Sequence, residues 1–152
     1  IETSREEWLR FVMERAAVQQ SRLSVSKLLY IVAGGAIGAG LRYAASLVAF
    51  RFVGGSYPWG TLIVNVIGSF LAGFIWAMLD ETTGQQRTNA FFFIGVLGAF
   101  TTFSAYALES MRLVQEGELG LATANVLANN VGALLAVFAG FAIARWFLTT
   151  VR

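Results

Sequence analysis

The stretch 91-FFFIGVLGAFTTFSAYAL-108 decides the fold. It carries no charge over a length that crosses most of a bilayer core as helix, which places the chain among membrane proteins. Two adjacent threonines and a serine interrupt it at 101-TTFS-104. Vicinal β-branched threonines are poor helix formers and their hydroxyls compete for backbone partners, so a membrane helix is expected to open there. From Phe91 to Val114 the segment has 24 residues. That is about 36 Å of helix against a hydrocarbon core of about 30 Å, which leaves length for a break. Unwound backbone at membrane depth survives only where it is buried in protein or lines a cavity, and its freed carbonyls then become ligands. The carbonyls of Gly98 and Thr101 suit a hard monovalent cation, and the hydroxyls of Thr102 and Ser104 remain for other partners. Phe103 and Tyr106 follow one helical turn apart. They either pack in a core or turn the positive edges of their rings to a partly dehydrated anion.

The rest of the chain agrees with a membrane solvent. Of its 152 residues 57% are hydrophobic and 13% charged. Windows at Leu28–Phe50, Trp59–Leu79 and Leu121–Leu148 join Phe91–Val114 as spans. The expected fold is all-α: a polytopic membrane protein of four transmembrane helices with a break in the third. The connections 51–58, 80–89 and 115–120 are too short for a soluble domain. The sixteen glycines fall mainly within the spans, where they let helix backbones approach. Cysteine and histidine are absent, so thiolate sites and the commonest catalytic base are excluded and no enzyme is expected. A net charge of +2 without a basic run gives no footprint for nucleic acid.

Three spans present neutral polar stripes. In the first, Gly35, Gly38, Arg42 and Ser46 recur at helical spacing. Arg42 lies well inside the span, where an arginine costs several kcal/mol without partners or water. It marks a functional site or bonds helix-end carbonyls. In the second, Asn65 lies on a face with Thr61, Gly68, Ser69 and Gly73, as helix glue or as a contact for a permeating species. In the fourth, Asn125 and Asn129 stand one turn apart, while Asn130 points about 100° away. No span has an acidic residue near its middle, which speaks against cation or proton-coupled carriers and suits a small anion. Glu109, at the far end of the third span, has Arg112 three residues on and reads most simply as a solvated helix pair.

Residues 1–26 form a charged, helix-prone extension, read as an amphipathic interfacial helix; residues 27–152 form the transmembrane domain.

The motifs 34-GGAIGAGLRY-43, 60-GTLIVNVIGSFLAG-73 and 95-GVLGAFTTFSAYALE-109, in that order, resemble the CrcB, or Fluc, fluoride channel family. The resemblance runs from Lys27 to Phe147. It implies passive fluoride export that lowers cytoplasmic fluoride, by an antiparallel, dual-topology dimer in the cell membrane, with two pores and a central structural sodium ion. By the same resemblance Phe103 and Tyr106 are the aromatic pore pair, Asn65 the pore asparagine and Ser104 the serine of that motif. Thr102 joins them beside the path, and Asn125 and Asn129 align with a polar track on the fourth helix. Gly98 and Thr101 supply the sodium-binding carbonyls, and Arg42 and Glu109 match residues of structural or vestibule position. Tyr106 departs from the usual phenylalanine and adds a hydroxyl that must be satisfied. The partners implied are fluoride, membrane lipid and a second copy of the chain, or an oppositely inserted subunit in a heterodimer. The rival readings are a small four-helix carrier of the drug-exporting kind and a non-conducting subunit of a heterodimeric channel.

Charge bears on orientation. Arg15, Arg22, Lys27, Arg87, Arg145 and Arg152 fall on one side of a four-span chain, and Arg51 and Arg112 on the other. The positive-inside rule favours a cytoplasmic N-terminus, whereas an antiparallel homodimer needs both orientations. Single cysteines in the 80–89 loop, for example Thr83→Cys, are expected to react with impermeant thiol reagents from both sides of the membrane. Labelling from one side alone would mean a fixed orientation.

Overall fold

The computed structural model describes residues 25–79 and 86–150. Helix α1 is Val25–Phe52 and α2 is Trp59–Met78. The third span is divided into α3, residues 86–100, and α4, Phe103–Gln115. Helix α5 is Leu119–Thr150. Among the described residues four helices, counting Ala90–Gln115 as one, are long and apolar enough to cross a membrane. The amphipathic helix expected in residues 1–26 lies, apart from Val25 and Ser26, outside the described residues.

Glycine closes the turns. Gly54 and Gly55 follow α1 with φ of 57° and 85°, a region closed to most side chains. At the end of α4, Gly117 has φ 82°. Its N–H donates to Val114 O at 3.1 Å while Glu118 N donates to Leu113 O at 2.9 Å. These two bonds cap the orphan carbonyls of the last turn and turn the chain into α5.

The helix pairs α2 with α5 and α1 with α3 carry the packing. Both rest on glycine. A Cβ on Gly73 would strike the carbonyl of Val137, and one on Gly140 the carbonyl of Phe70. Across the other pair, Gly34 and Gly95 abut, and a Cβ on Gly38 would strike the carbonyl of Val96. With no hydrophobic drive between helices in lipid, such backbone proximity supplies the van der Waals attraction. A Cβ added at Gly35, placed on the small face of α1 by spacing, would meet nothing within 4 Å. Gly38 of the expected stripe is buried and Gly35, Arg42 and Ser46 are half-buried, so the stripe lies on the packed side of α1, with the tightest approach at Gly34 and Gly38.

The Ala90–Leu97 part of α3 is π-helical, and Gly98 N reaches back five residues to Phe93 O. This wide turn lies against the glycine face of α1 and has no counterpart in the sequence pattern. Gly140→Val is expected to prise α5 from α2, lowering stability by about 1–3 kcal/mol in detergent unfolding. Gly120→Ala, whose added Cβ would meet nothing within 4 Å in the first turn of α5, should cost nothing and gain at most about 0.5 kcal/mol by helix propensity. Equal effects of the two would remove close α2–α5 approach as a source of stability.

Candidate functional site

The third span opens where the vicinal threonines stand. Thr101 has φ −79° and ψ 158°, and Thr102 φ −151° and ψ 109°, both extended between two helices. Thr101 still closes the first helix, its N–H and its hydroxyl each donating to Leu97 O at 3.0 Å. Thr102 opens the second: its Oγ1 accepts from Ala105 N at 3.2 Å as the N-cap. Ser104 Oγ lies 3.4 Å from the same hydroxyl.

An amide from α2 replaces the missing helical bonds. Asn65 Oδ1 accepts from Thr102 N at 2.8 Å, and Asn65 Nδ2 donates to Thr102 O at 3.2 Å. This pair fixes the amide's orientation, because the oxygen must face the N–H and the nitrogen the carbonyl. The second hydrogen of Nδ2 goes to Asn129 Oδ1 at 2.8 Å. Asn129 Nδ2 in turn donates to Asn125 O at 3.1 Å and Asn125 Oδ1 at 2.9 Å. Asn125 Nδ2 donates to Ser110 Oγ at 2.9 Å, and Ser110 Oγ to Tyr106 O at 2.9 Å. The bonds run in one donor direction from the backbone of the break, through three amides, to the backbone of α4. Aligned dipoles of this kind strengthen one another in a low dielectric. Both amide hydrogens of Asn65 and of Asn129 are thereby engaged within the chain.

Two amides of the relay, Asn65 and Asn129, border an open groove of about 460 Å³. Asn65, Asn129, Thr101 and Thr102 line it together with Phe103, Tyr106 and Asn130. The two rings meet edge to face, centroids 5.1 Å apart at 69°. Their surroundings differ: Tyr106 is 9% exposed and Phe103 75%. Ser104 is exposed beside them.

Of the expected site residues, Glu109, Arg42, Gly98 and the fully buried Asn125 do not line the groove. Glu109 borders a separate hollow of about 170 Å³ with Ser46, Tyr57 and Trp59. Its Oε1 accepts from Thr61 Oγ1 at 2.7 Å, while Oε2 is buried without a partner. Thr61, 48 positions away, is thus its hydrogen-bond partner in place of the neighbouring Arg112. Arg42 is half-buried on α1, and among the described residues no hydrogen bond or ion pair reaches it. Gly98 lies in the helical turn Gly98–Phe100 just before the break. Two contributors were not singled out by spacing, Ser110 and Asn130; Ser110's position one turn after Tyr106 was the available sign.

Asn65→Ala strips Thr102 of both backbone partners and leaves Asn129 Oδ1 open. A loss of about 2–4 kcal/mol is expected, read as a lower midpoint of thermal unfolding in detergent. An unchanged midpoint would mean that water serves the break as well as the amide does.

Comparison with known proteins adds a family. The family model described as "CrcB-like protein, Camphor Resistance (CrcB)" matches residues 29–141. A protein of Parabacteroides distasonis named "Fluoride-specific ion channel FluC" is 43% identical over 126 residues, covering 83% of this chain and 98% of its own. One of Shewanella amazonensis with the same name is 47% identical over 116 residues, 76% of this chain and 94% of its own. A third, from Mesorhizobium japonicum, is 42% identical over 118 residues, 78% and 95% of the two chains. A family match across the spans, relatives covered almost end to end and four membrane-length helices lead to one assignment: the chain is a multi-pass membrane protein belonging to the CrcB-like family.

Proposed function

We propose that the chain is a fluoride channel, conducting fluoride passively across the cell membrane and so lowering its cytoplasmic concentration. The observation that carries this reading is near end-to-end similarity, at 42–47% identity, to relatives named for fluoride-specific conduction. The groove supports it on chemical grounds. It is lined by neutral amide and hydroxyl side chains and aromatic rings, with no carboxylate among the lining residues to repel an anion. Ring edges and hydroxyls coordinate a small anion weakly enough to release it, as conduction requires.

The path runs past Phe103, Tyr106, Thr102 and Ser104, with Asn65 and Asn129 as the polar wall and the buried Asn125 holding Asn129 in place. Of the two rings Phe103 is the one that needs a neighbour, being three-quarters exposed where Tyr106 is buried. An antiparallel second copy would cover it and complete the path on both sides of the interface. Arg42, partnerless within the described chain, would then find its acceptors in that copy or in water.

The break also suits a structural sodium ion. Thr102 N is turned to Asn65 and Ala105 N to the Thr102 hydroxyl. The carbonyls of Gly98 and Thr101 therefore lose the N–H groups that an unbroken helix would offer them. Oxygens freed in this way are the hard ligands that sodium takes, and two breaks facing across a dimer axis would supply a full set. Such an ion would join the two subunits.

The test is fluoride efflux from liposomes holding only the purified chain, followed with a fluoride electrode beside a chloride control. Fluoride is expected to leave and chloride to be retained. Phe103→Ile, which keeps most of the apolar bulk and removes the ring edge, should slow efflux at least about tenfold, about 1.4 kcal/mol of barrier. Unchanged efflux in that variant would return Phe103 to a packing role, and absence of efflux from the native chain would favour a subunit that needs a different partner.

A further inference from the structure

Asn130 and the hydroxyl of Tyr106 form a pair that neither the amide relay nor the ring edges require. Asn130 Nδ2 lies 3.0 Å from Tyr106 Oη and 2.7 Å from Val126 O. The carbonyl can only accept, so the atom facing it is the amide nitrogen, and the orientation of the side chain is settled without reference to the tyrosine. That nitrogen has no lone pair to offer. The tyrosine oxygen is consequently the acceptor, and its own hydrogen is not used in the contact.

A phenolic hydrogen stays near the ring plane, which gives it two positions on opposite sides of the C–O axis. A donor arriving at one sends the hydrogen to the other. Tyr106 Oη makes no further hydrogen bond among the described residues. A donor without an acceptor is costly on a residue as buried as Tyr106, 9% exposed, unless the groove supplies one. Tyr106 and Asn130 both line the groove with Thr102 and Phe103.

We propose that Asn130 is a positioning residue that occupies the acceptor side of the Tyr106 hydroxyl and presents its O–H as a hydrogen-bond donor to the permeating anion. This rests on the reading of the groove as the anion path. It gives the anion one strong donor where a phenylalanine would offer only ring C–H edges, since an O–H bond to an ion is roughly twice as strong as one between neutral groups. The hydroxyl at position 106 and the asparagine at position 130 thus belong to one device.

The test measures fluoride currents in planar bilayers over a range of fluoride concentration. Tyr106→Phe is expected to raise the half-saturating concentration about tenfold. Asn130→Ala should raise it about threefold in the native background, as the hydroxyl loses its imposed direction, and leave it unchanged when combined with Tyr106→Phe. Detergent unfolding midpoints near that of the native chain will show that the variants fold. A half-saturating concentration unmoved by Tyr106→Phe overturns the inference. An Asn130→Ala effect of equal size in both backgrounds also overturns it, because the asparagine then acts without the hydroxyl. Phe103→Ile separates this from the underlying reading: a disabling Phe103→Ile beside a silent Tyr106→Phe removes the hydroxyl donor alone, whereas silence of both removes the groove as the path.

Discussion

The two hydrogen bonds between the Asn65 amide and the backbone of Thr102 hold the molecule's third span open. In hydrocarbon an unpaired N–H or C=O costs several kcal/mol, so extended residues in mid-span need a substitute for the helical ladder. A side-chain amide is well suited to this, because it matches a peptide group donor for acceptor. The break then allows a second helix to begin at Thr102 and to present Phe103 and Tyr106 as its first turn. The asparagines of α5 extend the same logic. They orient the amide that orients the backbone, and the close α2–α5 approach at Gly73 and Gly140 brings them within reach.

Much of this was legible from residue order. The position of the break followed from Thr101 and Thr102, whose branched side chains and hydroxyls disfavour helix, and the spans from uncharged length. Asn65, Asn125 and Asn129 could be placed on polar stripes, because helical period is a local property. Their directional linkage could not be read, since which helix faces which is set by packing. Asn130 escaped for a related reason. A straight wheel turns it away from Asn129, yet the long tyrosine side chain reaches around to it. The same applies to Thr61 with Glu109, which are distant in sequence and joined by the α2–α4 arrangement.

The small faces show how narrow that margin is. Gly34 and Gly35 are adjacent and chemically identical, and spacing alone assigned Gly35 to the stripe. The structure buries Gly34 against the π-helical stretch of α3 and leaves Gly35 half-buried beside it. A widened turn draws on the same residues and nearly the same backbone angles as an α-helix, so it leaves no mark in composition or period.

The order of the chain has a consequence for biogenesis. Asn65 lies in the second span and Thr102 in the third, so a polypeptide inserted from its N-terminus already has the amide in the bilayer when the two open peptide groups arrive. The break need not enter lipid unpaired. Asn129 emerges last and closes onto an amide that is already held by backbone. A chain permuted to deliver the third span before the second would have to insert the break against bare lipid, and the translocation machinery would then have reason to leave that segment outside.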